Sequence, residues 1–272
     1  MSASPRVHIP WFPAVLVVAL ALALTFLTLP VVAIFVDRTP AQLIDALGER
    51  GALDALWLSL RATAMSLAII LSVGTPAAYL LATRSFRGKS VVVTLVELPL
   101  VLPPAVAGIA LLAALSPSGI LGGVMDAAGI ELVFETAGVV VALTFVASPF
   151  YVRQAIAAFA AVDRTLLDAS RTLGASEARS VARVMIPSAM PGLAAGTALA
   201  LGRALGEFGA TLMFAGSLEG VTRTVPLAIY ERFSSDFDAA LALSAVLVAV
   251  SAAILLSVKL VQGGEALGGA TR

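Results

Sequence analysis

Six apolar runs, separated by short polar segments, organise the chain at about 13–36, 55–82, 90–115, 137–158, 191–216 and 239–261. A helix needs about 20 apolar residues to cross a hydrocarbon layer about 30 Å thick, and each run is that long. The pattern predicts an all-α, polytopic membrane protein with six transmembrane helices in a single domain over 1–272. The first run exceeds a signal-peptide core of about 7–15 residues, and no clear small-x-small cleavage site follows it. It is read as a retained span.

The segment 159–189, between the fourth and fifth runs, breaks the apolar pattern. Its heart reads DASRTLGASEARSVARVMIPSAMP, from Asp168 to Pro191. Asp163 suits the N-cap of a first short helix, and Gly174 suits its left-handed end. Ser176 suits the N-cap of a second helix, which Pro187 is expected to stop. Leu166, Leu167, Ser170 and Leu173 are expected on one side of the first helix. Val181, Val184 and Met185 share a face of the second, and Arg179 and Arg183, four apart, share another. The pattern fits a docking element and equally fits two amphipathic helices resting on a membrane surface.

Composition narrows the class. Hydrophobic residues make up 60% of the chain and charged residues 12%, with a mean hydropathy of +1.01. Such a balance suits lipid rather than water. There is no cysteine, hence no disulfide framework and no thiolate metal site. The single histidine is His8, the net charge is zero, and no nucleic-acid partner, metal or catalytic residue is expected.

Charge sets the expected orientation. With the N-terminus inside, the cytoplasmic segments hold Arg6, Arg84, Arg87, Lys89, Arg153, Arg164, Arg171, Arg179, Arg183, Lys259 and Arg272. The outer loops hold Arg38, Arg50, Arg223 and Arg232, with acids such as Asp37, Asp45, Glu49, Asp54, Glu219 and Glu231. The positive-inside rule then puts both termini and the 159–189 loop in the cytoplasm.

The loop closely resembles the "EAA" loop of ABC importer permeases, Glu-Ala-Ala-x3-Gly-x9-Ile-x-Leu-Pro. Asp168, Ala169, Ser170, Gly174, Val184, Ile186 and Pro187 occupy its positions at the same spacing. Asp for Glu, Ser for Ala, Val for Ile and Ile for Leu are mild departures. The resemblance implies the type I ABC importer permease fold. It also implies that this loop, with Asp168, Ala169, Ser170, Gly174, Ala175, Ser176 and Pro187, couples to a cytoplasmic ATPase. The chain itself carries only a fragment of a phosphate-binding loop, Gly88-Lys89-Ser90, with Thr83 where the first glycine belongs. ATP and Mg are therefore expected on a partner ATPase, with no cofactor on this chain.

Two spans carry polar or helix-breaking residues. In the third, Pro99, Pro103 and Pro104 remove backbone donors and are expected to bend the helix, which makes it a candidate pore liner. Glu97 falls in the inner third of that span and is expected to reach water. In the fifth, Arg203 and Glu207 are four apart, and lipid would solvate neither. They are expected to face protein or a water-filled cavity, either beside the pathway or as a packing ion pair, with the packing pair preferred. Gly192-x3-Gly196 and Gly202-x3-Gly206 invite a close helix neighbour, in the same chain or in a second copy. Outside, Pro226 is expected to open a short helix.

The stretches LPLVLPP, GRALGEFGATLMFAG and TRTVPLAIYERF resemble the molybdate importer permeases over about 59–261. Sulfate and tungstate permeases share the third-span prolines and the Gly-Glu-Phe-Gly core. The resemblance implies a homodimer in the cytoplasmic membrane of a prokaryote, driven by an ATPase dimer and fed by an extracytoplasmic molybdate-binding protein. No cluster of donors here would grip a dianion, so ion selection is expected of the binding protein. The alternatives are a sulfate or tungstate permease and a proton-coupled carrier using Glu207. The absence of an internal inverted repeat weighs against the carrier.

Overall fold

The computed structural model describes residues 11–36, 41, 45, 48 and 51–268, with side chains described as far as Ser257. Arg6, His8, Asp37, Arg38, Glu49, Arg50 and Arg272 lie outside the described residues, as does the side chain of Lys259. Among the described residues all regular structure is helical.

The first helices are α1 (Trp11–Val36), α2 (Ala52–Thr83), α3 (Lys89–Val101), α4 (Pro104–Leu115), α5 (Gly122–Ala127) and α6 (Thr136–Ala160). A hairpin follows, made of α7 (Arg164–Thr172) and α8 (Glu177–Ser180), and α8 runs through a π-turn (Val181–Met185) into α9 (Ile186–Leu205). The chain closes with α10 (Gly209–Ala215), α11 (Val225–Ser235) and α12 (Phe237–Gly268). Five helices are long and apolar enough to cross a membrane, or up to 6 if the bent pair α3–α4 counts as a span.

Helix α6 is the centre of the bundle, flanked by α2 and α9. Small residues set these approaches. A Cβ on Gly74 of α2 would meet the Tyr151 ring at 3.1 Å, and one on Gly192 of α9 would meet the Ala158 Cβ at 2.5 Å. Gly196 likewise packs on Gln154 of α6. The first small-x3-small motif of α9 therefore finds its neighbour within the chain. The second does not: nothing lies within 4 Å of a Cβ on Gly202, and Gly206 approaches only its own helix. The main core gathers Ile70, Leu143, Tyr151, Phe159 and Met185. By contrast α1 buries no side chain.

Two expected spans are broken. The third bends by 118° between α3 and α4, a corner rather than a kink. Leu102 and Pro103 each precede a proline, which drives both out of the helical region; they are extended, with ψ of 131° and 138°. Pro99 stays inside α3. The fifth run stops at Leu205 and restarts at Gly209. There a Cβ on Gly209 would press on the Pro104 Cβ at 2.7 Å, and one on Gly108 on the Ala210 oxygen at 2.7 Å, so the two interrupted spans pack half-helix on half-helix.

The hairpin departs from expectation in the opposite sense. Pro187 does not stop its second helix: residues Glu177–Leu205 form one continuous 29-residue element. The π-turn explains the tolerance. Ile186 N–H bonds the Val181 carbonyl five residues back, a wider turn that relieves the ring's clash with the preceding carbonyl.

Candidate functional site

The hairpin is built by local capping. Asp163 Oδ1 accepts the Thr165 N–H at 2.9 Å. That backbone bond, and then the Thr165 hydroxyl, hold the Asp163 carboxyl below its ordinary value. At the far end Gly174 is left-handed (φ +81). Ala175 N–H bonds the Ser170 carbonyl at 3.1 Å and Gly174 N–H bonds the Arg171 carbonyl at 2.9 Å, the Schellman pair. Ser176 Oγ accepts the Arg179 N–H at 3.4 Å, capping α8. Ser170 Oγ donates to Ser180 Oγ at 2.6 Å and clamps α7 to α8.

Leu167 and Met185 seat the hairpin on the main core. Glu177 ties it to α2 through Arg84 at 2.6 Å and the Tyr79 hydroxyl at 3.3 Å. The expected single apolar side of α7 splits in two. Leu167 and Ser170 turn inward, whereas Leu166, Ala169 and Leu173 turn out. One turn holds 3.6 residues, so 166, 169 and 173 align while 167 and 170 line the adjoining face. Leu173 is 88% exposed. Beside this stripe Asp168, Gly174 and Ser176 are exposed, Ala175 is half-buried, and Asp168 lies 3.4 Å from Arg171. Pro187 is exposed too, but it lies inside the continuous helix beyond the π-turn.

Two ion pairs lie within the apolar helices. At the break after α9, Arg203 Nη2 lies 2.5 Å from Glu207 Oε2, and Glu207 is 1% exposed. Its other oxygen, Oε1, accepts the Ala210 N–H at 2.7 Å, so the carboxylate caps α10. The second pair joins α3 and α6: Arg153 Nε lies 3.6 Å from Glu97 Oε1. Arg153 lies within α6, inside the fourth apolar run and toward its hairpin end. Sequence reasoning missed this pairing, although an arginine inside an apolar run demands a partner. Pro103 and Pro104 are exposed at the corner. Arg203 also borders a cavity of about 910 Å³ between α6, α9 and α12.

At the opposite end Pro226 sits in the first turn of α11, and Arg223 lies between Glu231 (3.0 Å) and Glu219 (3.4 Å). The Val225 N–H donates to Ser59 Oγ at 2.8 Å, fastening α11 to α2. Among the described residues no group of three or more His, Cys, Asp or Glu could hold a metal.

Residues 71–263 match the family described as "binding-protein-dependent transport system inner membrane component". The chain belongs to this family. It is a multi-pass membrane permease and a transport component. It is similar to the molybdenum transport system permease protein ModB of Mycobacterium tuberculosis, 42% identical over 86% of this chain and 89% of that one. It also resembles a probable molybdenum ABC transporter permease protein of Haloferax volcanii, 41% identical over 91% and 89%. Among solved structures, a bacterial ABC transporter involved in alginate import superposes with a TM-score of 0.73 at 18% identity, over 92% of this chain and 93% of that one. That likeness supports the fold alone.

Proposed function

We propose that this permease carries molybdate inward across the cytoplasmic membrane of a prokaryote, as a homodimer coupled to an ATPase dimer and supplied by a molybdate-binding protein. The observation that carries the ion is the 42% identity to a molybdenum permease over most of both chains. The observation that supports coupling is the exposed Leu166–Ala169–Leu173 stripe. An apolar ridge beside charges, on a hairpin stiffened by three caps, fits a groove on a partner protein. Asp168, Ala169 and Gly174 would lie in that contact, and Ser170, Ala175, Ser176 and Pro187 would hold its shape. ATP and Mg bind the partner, and no covalent chemistry falls to this chain. The charge asymmetry supports cytoplasmic termini and a cytoplasmic hairpin.

Transport follows alternating access: ATP and the loaded binding protein favour one state of the bundle over the other. The hairpin passes that bias into α9 without a hinge, because α8, the π-turn and α9 are one element.

The test is uptake of labelled molybdate by vesicles holding permease, ATPase and binding protein, with tungstate and sulfate as competitors. Uptake should require ATP and survive an uncoupler. Stronger competition by sulfate than by unlabelled molybdate would make this a sulfate permease, and the same result with tungstate would make it a tungstate permease.

A further inference from the structure

Glu97 and Arg153 have no part in the coupling hairpin or in the break after α9. Both lie within apolar helices, near the end of the bundle that carries the hairpin. At about 1.5 Å per residue, each sits roughly 10–12 Å in from that end of its helix. Hydrocarbon would not solvate a carboxylate or an unpaired guanidinium on an apolar helix. Yet the Glu97 side chain is 38% exposed and that of Arg153 70%. An open ion pair on two apolar helices faces water or another protein rather than lipid.

The geometry leaves the arginine available. At 3.6 Å the contact is longer than an aligned hydrogen bond. It is the polar contact that Arg153 makes among the described residues, so most of the guanidinium fork is unengaged. On the same face of α6, Ala157 and Ala160 are small and exposed, leaving room beside the fork. In the Arg203–Glu207 pair the guanidinium borders a cavity, but it is held at 2.5 Å by a carboxylate that is sealed and capped.

We propose that Arg153 contacts the transported oxyanion in the half of the pathway next to the hairpin, and that Glu97 weakens this contact so that the ion is released. The inference rests on the oxyanion reading above. A planar guanidinium matches two oxygens of a tetrahedral anion. A conducting site must bind well enough to admit an ion and weakly enough to let it go. A carboxylate on the same guanidinium supplies the weakening by competing for it and by repelling the anion.

The whole importer, with its ATPase and binding protein, is reconstituted in proteoliposomes. Molybdate uptake and ATP hydrolysis stimulated by loaded binding protein are compared for wild type, Arg153→Gln, Arg153→Lys, Glu97→Gln and the charge-reversed double variant Glu97→Arg/Arg153→Glu. Arg153→Gln should import about tenfold more slowly, as expected for loss of one charge-assisted contact, while stimulated hydrolysis persists. Arg153→Lys should fall between. Glu97→Gln should turn over more slowly at an unchanged half-saturating concentration of loaded binding protein. The double variant should be as slow as Arg153→Gln, because it keeps the ion pair but moves the guanidinium from α6 to α3, away from the position that meets the anion. Wild-type uptake by Arg153→Gln would overturn the proposal. So would wild-type uptake by the double variant, which would mark a salt bridge between helices or between two copies. If Arg153→Gln fails to assemble, Arg153→Lys and the double variant decide. A wild-type importer that carries no molybdate, tungstate or sulfate would sink the functional reading itself. Normal wild-type uptake with an unaffected Arg153→Gln would sink only this inference.

Discussion

At the break after α9, Glu207 is 1% exposed, lies 2.5 Å from Arg203 and caps the next half-helix. Near the hairpin end, Glu97 is 38% exposed and lies 3.6 Å from its arginine, with no cap to make. The residue types are the same in both places, and both arginines lie in apolar runs. A sealed carboxylate must find its partners within the protein, so it becomes part of the scaffold. An open one can exchange partners with whatever passes. The hairpin belongs to the open region as well: Arg84–Glu177 is half-exposed, and Leu173 stands in solvent.

The contrast can be broken experimentally, the largest effect first. Glu207→Ala removes the cap and strands Arg203 in the fold. It should cost about 3–5 kcal/mol, as breaking a buried pair does, and should be read as lost thermal stability of the detergent-purified protein. Leu173→Ala should leave that stability unchanged yet weaken ATPase binding about tenfold or more in a pull-down, because the buried methyl groups are lost only from the contact. Ser170→Ala removes the 2.6 Å clamp between α7 and α8. It should cost about 1 kcal/mol, seen as faster hydrogen exchange in the hairpin. Glu97→Gln should change thermal stability by only about 0–1 kcal/mol, the range for an open pair. An effect as large as that of Glu207→Ala would erase the distinction.

The last effect is local and depends on pH. The Asp163 carboxyl is stabilised in its charged form by the Thr165 N–H and then by the Thr165 hydroxyl. Its folded pKa is lowered, so the cap's contribution is present above the ordinary carboxylate value near ~3.9. It is lost as pH falls through the lowered folded value. Relative to the intrinsic rate at each pH, hydrogen exchange at the start of α7 should rise across that window. In Asp163→Asn, which still accepts the bond but does not titrate, the rise should disappear.

Much of the fold is legible in the sequence because lipid imposes a one-dimensional rule: enough apolar residues in a row make a span. The caps Asp163, Gly174 and Ser176 are legible for a similar reason, since each acts within a few residues of itself. Pro187 misleads because its effect depends on a π-turn that begins six residues earlier. The 118° corner exceeds a simple proline kink because Leu102 and Pro103 are both driven out of the helix, and α4 then finds a place against α10.

By itself, then, the sequence determined the membrane class, the number of apolar runs and the polar hairpin with its caps. These follow from local chain chemistry and from a solvent that tolerates no unsatisfied backbone. Tertiary structure decided which arginine meets which acid across helices, which of those pairs is sealed, and which leucines of α7 turn outward. Those outcomes depend on how α3, α6 and α9 approach one another. That approach is set by side chains far apart in the chain, such as Gly192 against Ala158 and Gly74 against Tyr151.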